Sequence, residues 1–170
     1  RRQGKADIRQ KEFLEMAEQG LVHLGAFSFK MTLSTDVEKW RFDTLQTKEP
    51  ETIAWIDAMQ PGSVLFDIGA NIGIYTLYAA SKGITVVAVE PVLENYMRLV
   101  ENIELNGFQD RVIAIYGALG NVPDGHVFED IVIPDTTIGA SGAQVKGKID
   151  GKKRTVPCYE LGYLFYALDL

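Results

Sequence analysis

One hundred and seventy residues make about one domain, with enough chain to bury a core of its own. Hydrophobic residues are 46% and charged residues 24%, ordinary for a globular chain and too apolar for a disordered one. Seventeen Lys and Arg against 23 Asp and Glu leave a net charge of −6. That sign argues against nucleic acid as a partner, since binding phosphates takes a basic surface, although a local basic patch remains compatible with it. One cysteine, Cys158, excludes an internal disulfide framework and points to a reducing, cytoplasmic setting. No apolar run nears the ~18 residues of a membrane span, and no signal-peptide core opens the chain.

Residues 1–47 read as an extension. A helix is expected over 7–18, with Phe13, Leu14, Ala17 and Leu21 at helical spacing and Gly20 near its end. One or two strands are expected over 25–47, with Phe27, Phe29, Met31 and Leu33 on one side. Residues 48–121 then repeat strand, turn and helix. A helix starts at Pro50, which loses no hydrogen bond in a first turn, and Ile53, Ile56 and Met59 form its apolar face. Strands follow over 64–68, 84–89 and 111–116, separated by helices over 72–82 and 93–106 that stop at Gly83 and Gly107. Leu93, Met97, Val100 and Ile103 mark the expected buried face of the second of these helices. The pattern predicts an α/β fold, the βαβαβ half of a Rossmann-like parallel sheet, with right-handed crossovers fixing the strand order 3-2-1. Residues 122–170 look hairpin-like, with turns at Pro123-Asp124-Gly125 and Lys148–Lys152 around a strand over 127–133.

The strongest chemical signal is Phe66-Asp67-Ile68-Gly69-Ala70-Asn71-Ile72-Gly73, between a strand and a helix. Glycine there lets the backbone bend and a ligand approach without a Cβ in the way. Glu90, ending the next strand, is placed to accept hydrogen bonds from both ribose hydroxyls of an adenosine-containing ligand. A dinucleotide fingerprint would put glycines at 69, 71 and 74, where this chain has Gly69, Asn71 and Ile74. A cofactor without pyrophosphate, such as S-adenosylmethionine, removes that requirement, and Asn71 then faces its methionine end. Tyr75, opening the following helix, is a further candidate.

The run from Pro61 to Gly73, the Val89-Glu90-Pro91 tripeptide, Glu101-Asn102 through Asn106-Gly107, and Tyr116-Gly117-Ala118-Leu119-Gly120 resemble the FkbM-type class I methyltransferases over about residues 49–170. The resemblance implies a seven-stranded sheet, S-adenosylmethionine as cofactor, and usually O-methyl transfer to a small-molecule or sugar hydroxyl; the acidic charge balance adds the expectation of no nucleic-acid partner. It also implies that Asp67, Gly69, Ala70, Asn71 and Gly73 line the methionine and ribose side. Glu90 would hold the ribose, Pro91 and Val92 would lie beside the adenine, and Gly117, Ala118 and Leu119 would flank the ring. Members of that family continue into an acidic fourth strand, whereas this chain stops at Asp169-Leu170. The expectation is therefore a cofactor-binding half, inactive alone, with its first strand at an open edge unless a second copy covers it. No catalytic base is identifiable.

Blander roles are assigned to the remaining residues. Glu49 reads as a helix-start acid and Tyr78 as a packing tyrosine. His23 and His126 lack metal-ligand spacing, and Cys158 has no partner for nucleophilic work. The lysines and arginine from 146 to 154 read as edge protection, and Gly139-Ala140-Ser141-Gly142 as a loop. Two other functions fit the fold: half of an NAD(P)-dependent oxidoreductase, disfavoured by Asn71 and Ile74, and a non-catalytic nucleoside-binding module.

Overall fold

The computed structural model describes residues 18–122, 125–145 and 150–170. The expected helix over 7–18 lies outside them except for Glu18, as do the turn pairs Pro123-Asp124 and Lys148-Ile149.

The described chain opens with an antiparallel hairpin, β1 (Gln19–Leu24) and β2 (Phe27–Thr32). Gly20 and Leu21 therefore sit in a strand, not at a helix end. Val22 and Leu24 are buried while Leu21 is half exposed, the alternation of a one-sided strand. Gly20 is where the Phe42 ring packs, and a Cβ there would lie 2.5 Å from a ring carbon. Phe29, Met31 and Leu33 are buried as their spacing predicts.

Helix α1 (Asp36–Lys48) occupies residues expected to be strand. Its start is a capping box. The Thr35 hydroxyl accepts the Glu38 N–H at 3.1 Å, and the Glu38 carboxylate accepts the Thr35 N–H at 2.8 Å. Glu38 also accepts the Ser34 N–H, and Arg98 reaches its other oxygen at 2.7 Å, with side-chain exposures of 0% and 3%. Arg98 contacts Glu101 as well, at 2.9 Å. These Arg98 contacts are ionic, not aligned hydrogen bonds.

Helix α2 (Pro50–Ala58) carries Pro50 in its first turn and buries Ile56, with Ile53 and Met59 packed alongside. Next come β3 (Val64–Ile68), α3 (Ile74–Ser81), β4 (Thr85–Glu90), α4 (Leu93–Asn106) and β5 (Val112–Tyr116). The three strands form a parallel sheet in the order β3-β4-β5, so β3 is the edge, as right-handed crossovers require. Helix α5 (Leu161–Ala167) covers one face of this sheet, with Leu164 against Val87 and Val89 and the Phe165 ring 4.6 Å from that of Phe66. Among the described residues, no helix is long and apolar enough to cross a membrane.

The buried face of α4 departs from its apolar periodicity. Leu93 and Met97 are 44% and 54% exposed, whereas Asn95, Arg98, Leu99, Asn102 and Ile103 are buried. Its polar residues point inward because each has a backbone or charged partner there. Asn102 accepts the Thr32 N–H at 2.9 Å and donates to Ile72 O at 2.9 Å. One turn on, Asn106 accepts from Lys30 N–H at 2.7 Å and donates to Lys30 O at 2.8 Å. The two asparagines thus act on β2 as a neighbouring strand would, and they fasten the hairpin to the helix.

A further sheet has the order β6-β9-β7-β8, from β6 (Ala118–Leu119), β7 (His126–Ile133), β8 (Gln144–Val145) and β9 (Lys152–Tyr159). β8 and β9 flank β7 on opposite sides, so the expected hairpin around Asp150-Gly151 does not form between neighbouring strands. Of the basic cluster, Lys152 and Lys153 are exposed on β9, and Arg154 makes a two-pronged ion pair with Glu94 of α4.

Candidate functional site

The loop between β3 and α3 turns at Gly69 and Gly73, with φ of 78° and 93°. These two glycines do different work. A Cβ on Gly69 would meet nothing within 4 Å and would project into open space, so the backbone there is bare to an incoming ligand. A Cβ on Gly73 would lie 2.5 Å from the Leu99 Cδ1, so that position is needed for α3 to pack on α4. Gly73→Ala is therefore expected to cost about 1–3 kcal/mol through strain and overlap, read as a lower urea midpoint.

Between them, Asn71 also adopts a left-handed conformation, φ 55°, and its Oδ1 accepts the Ile72 N–H at 2.9 Å. The loop is tied to β4 by Gly69 and Ala70 N–H groups donating to Val89 O at 2.8 and 3.0 Å. Glu90 ends that strand, 3% exposed. One of its oxygens accepts the Asn71 N–H and the other the Val92 N–H, each at 2.8 Å. Burial pushes its carboxyl above the usual range, with these N–H groups and the Asn95 amide pulling the other way. With these three donors in place, one acceptor position of the carboxylate stays open to a hydroxyl donor.

Two cavities open along the carboxyl ends of the strands. One, of about 100 Å³, is lined by Gly69, Asn71, Glu90, Pro91, Val92 and Asn95, with residues 140–143 opposite. The other, of about 180 Å³, is lined by Ile68, Gly69, Val89, Pro91, Gly117, Ala118 and Leu119, with Ala143 and Val145. They share Gly69, Pro91 and Ala143 as walls. A larger cavity of about 490 Å³ lies elsewhere, between the hairpin and α1, and holds none of these residues.

Eight of the twelve candidate residues line the two cavities; Asp67, Ala70, Gly73 and Tyr75 do not. Asp67 accepts the Thr76 hydroxyl at 2.6 Å, and burial holds its carboxyl above the ordinary range. Ala70 is buried in the core. Tyr75 is half-buried and bonds to Glu49, and burial together with that carboxylate pushes its phenol upward. Gly117 also admits β9, since a Cβ there would lie 2.7 Å from Pro157 O.

Sequence reasoning passed over Asn95 and read residues 139–142 only as a loop, whereas 140–143 line the Glu90 cavity. The signal available was Asn95 itself, a polar residue one turn into a helix that starts at the cofactor strand's end. Among the described residues, no cluster of three or more His, Cys, Asp or Glu could hold a metal ion.

The family whose model matches this chain is the TRM5/TYW2 methyltransferase domain, over residues 28–141. Two tRNA (guanine(37)-N(1))-methyltransferases are 32% identical to it: one from Leishmania major over 103 residues, 59% of this chain and 14% of that protein, and one from Leishmania braziliensis over 93 residues, 54% and 12%. Among solved structures, TYW2 from P. horikoshii in complex with MeSAdo aligns with a TM-score of 0.43 and 20% identity, over 63% of this chain and 39% of that one. The chain thus spans about one-seventh of the length of the first curated relative.

Two expectations are corrected by these findings. The family is not the FkbM type, because the shared features, a glycine loop after the first strand and an acid after the second, belong to class I methyltransferases at large. A small-molecule acceptor and the exclusion of nucleic acid are overturned as well, because both curated relatives are named as acting on tRNA. Net charge does not decide the partner, because it averages over the whole chain, whereas phosphate contact depends on local charge. The cofactor expectation stands, since S-adenosylmethionine is the methyl donor of the matching family. With its Rossmann-like parallel sheet, its glycine loop and a family match over 28–141, the chain belongs to the TRM5/TYW2 methyltransferase domain family of S-adenosylmethionine-dependent enzymes.

Proposed function

We propose that this chain is the cofactor-binding part of a tRNA methyltransferase whose acceptor is a guanine base. The single observation that carries the cofactor half is the caged Glu90 beside the bare Gly69 backbone. The acceptor half rests on the two curated relatives. In this reading Glu90 receives the ribose hydroxyls, and Gly69 and Asn71 lie along the sugar and the methionine end. Pro91, Val92 and 117–119 wall the adenine. The bound cofactor supplies an electrophilic methyl group on a sulfonium; this chain's part is to orient it and keep water out, so that a nucleophile meets it in line.

Calorimetric titration with S-adenosylhomocysteine, with NAD as control, tests the cofactor half. Glu90→Ala is expected to abolish binding, and binding of NAD alone would sink the reading. The pH dependence has a definite sign. Hydroxyl donors favour the ionised carboxylate, so affinity is full above the pKa of the free site and falls as pH drops through it. Because burial raises that pKa, the midpoint is expected above the ordinary glutamate value of about 4.3, and Glu90→Gln should bind weakly with no such midpoint. For the acceptor, the full-length protein should transfer labelled methyl to a tRNA bearing guanine at position 37 and not to one bearing adenine there.

A further inference from the structure

The wall facing Glu90 is built from a segment distant in sequence and firmly held. Three consecutive residues take five hydrogen bonds from three directions. From the N-terminal helix and its cap, Thr35 Oγ1 donates to Ile138 O at 3.1 Å and Arg41 Nε to Gly139 O at 2.5 Å. From α4, Asn95 Oδ1 accepts the Gly139 N–H at 2.8 Å. Ala140 O accepts from both Asn95 Nδ2, at 3.0 Å, and Asn71 Nδ2 in the glycine loop, at 2.7 Å. Gly139, at φ 91°, lies against the start of α1, where a Cβ would come 3.2 Å from Val37 Cγ1. Just beyond these anchors, residues 141–143 line the Glu90 cavity, and Ala143 reaches the cavity walled by Gly117, Ala118 and Leu119.

We infer that residues 140–143 form a fixed roof over the adenosine moiety of the cofactor, and that Asn95 and Arg41 are positioning residues that hold it there. The inference rests on the cofactor-binding reading and goes beyond it by making α1 and α4 part of the cofactor's specificity. Residues 140–143 wall the Glu90 cavity, and Ala143 is a wall common to both cavities. Its anchors are side-chain hydrogen bonds to the backbone groups of three consecutive residues, as expected of a segment held in place. Arg41 is itself half-buried, and its charge is felt by Glu49, Tyr75 and Glu90, so the tether from α1 runs along the same site.

Arg41→Gln and Asn95→Ala in the full-length protein test this, with S-adenosylhomocysteine and 5′-methylthioadenosine as the two probes. Loss of the tether should weaken both ligands by the same factor, about tenfold, because a roof held in place only part of the time lowers apparent affinity by that fraction. Hydrogen exchange should show residues 139–143 gaining protection when ligand binds the wild-type protein and failing to gain it in the variants, at matched thermal midpoints. If Asn95→Ala does not fold, the less buried Arg41→Gln decides. Unchanged affinity overturns the roof. Tighter binding overturns it too, because the segment would then be a plug that ligand displaces. Weakening of S-adenosylhomocysteine alone would place the segment over the methionine end and likewise overturn it. Wild-type protein that binds neither probe would overturn the cofactor reading itself.

Discussion

Arg98→Met should destabilise the fold by about 3–5 kcal/mol, enough to leave a domain of this size largely unfolded at moderate temperature. The cause is not the loss of attraction as such. Glu38 is fully buried, and without the guanidinium its carboxylate would keep only the N–H groups of Ser34 and Thr35 as partners. An unpaired charge in that setting costs more than a missing pair does. The double variant Glu38→Gln/Arg98→Met separates these effects. Glutamine keeps an acceptor for the two N–H groups and carries no charge, so the pair should recover most of the loss. Urea midpoints of the two single variants and the double make the cycle. Equal instability in Arg98→Met and the double variant would show that packing, not charge, is what Arg98 supplies.

Asn102→Ala is expected to cost about 2–5 kcal/mol, since it strands the buried Thr32 N–H and Ile72 carbonyl together. Asn106→Ala, whose partners on Lys30 are exposed to water, should cost under about 1 kcal/mol. The contrast follows mainly from burial, because each side chain accepts one backbone N–H and donates to a backbone carbonyl, Asn102 among buried groups and Asn106 among exposed ones. Equal losses in the two variants would mean that the hairpin contributes little and that Asn102 acts elsewhere. Because Ile72 belongs to the glycine loop, Asn102→Ala should also weaken S-adenosylhomocysteine in protein that remains folded.

The parallel sheet and its helices were legible because their signals are local: apolar runs of strand length, each closed by glycine or followed by a helical repeat. Glu90 and the glycine loop were legible for the same reason, since both sit at strand ends that the pattern locates. Helix α1 was misread although Thr35 and Glu38 spell a capping box, because the alternation from Phe27 to Leu33 was carried past its end. The inner face of α4 was hidden for a different reason. Apolar periodicity selects Leu93 and Met97, but Asn95, Arg98 and Asn102 go inward to meet partners 30 to 70 residues away in the chain. The roof was hidden in the same way. Nothing within Gly139–Gly142 announces a ligand wall until Asn71, Asn95 and Arg41 are brought beside it.

The attachment of β2 to α4 also bears on the order in which this chain can assemble as it is made. Lys30 and Asn106 are 76 positions apart, which at the usual pace of synthesis is an interval of about 4–15 s. Through that interval the hairpin has been made but the end of α4 has not, so the Lys30 backbone has no Asn106 amide to meet. The bonds from Asn102 and Asn106 to Thr32 and Lys30 can therefore form only once this helix has been made, which places the fastening of the hairpin late in assembly.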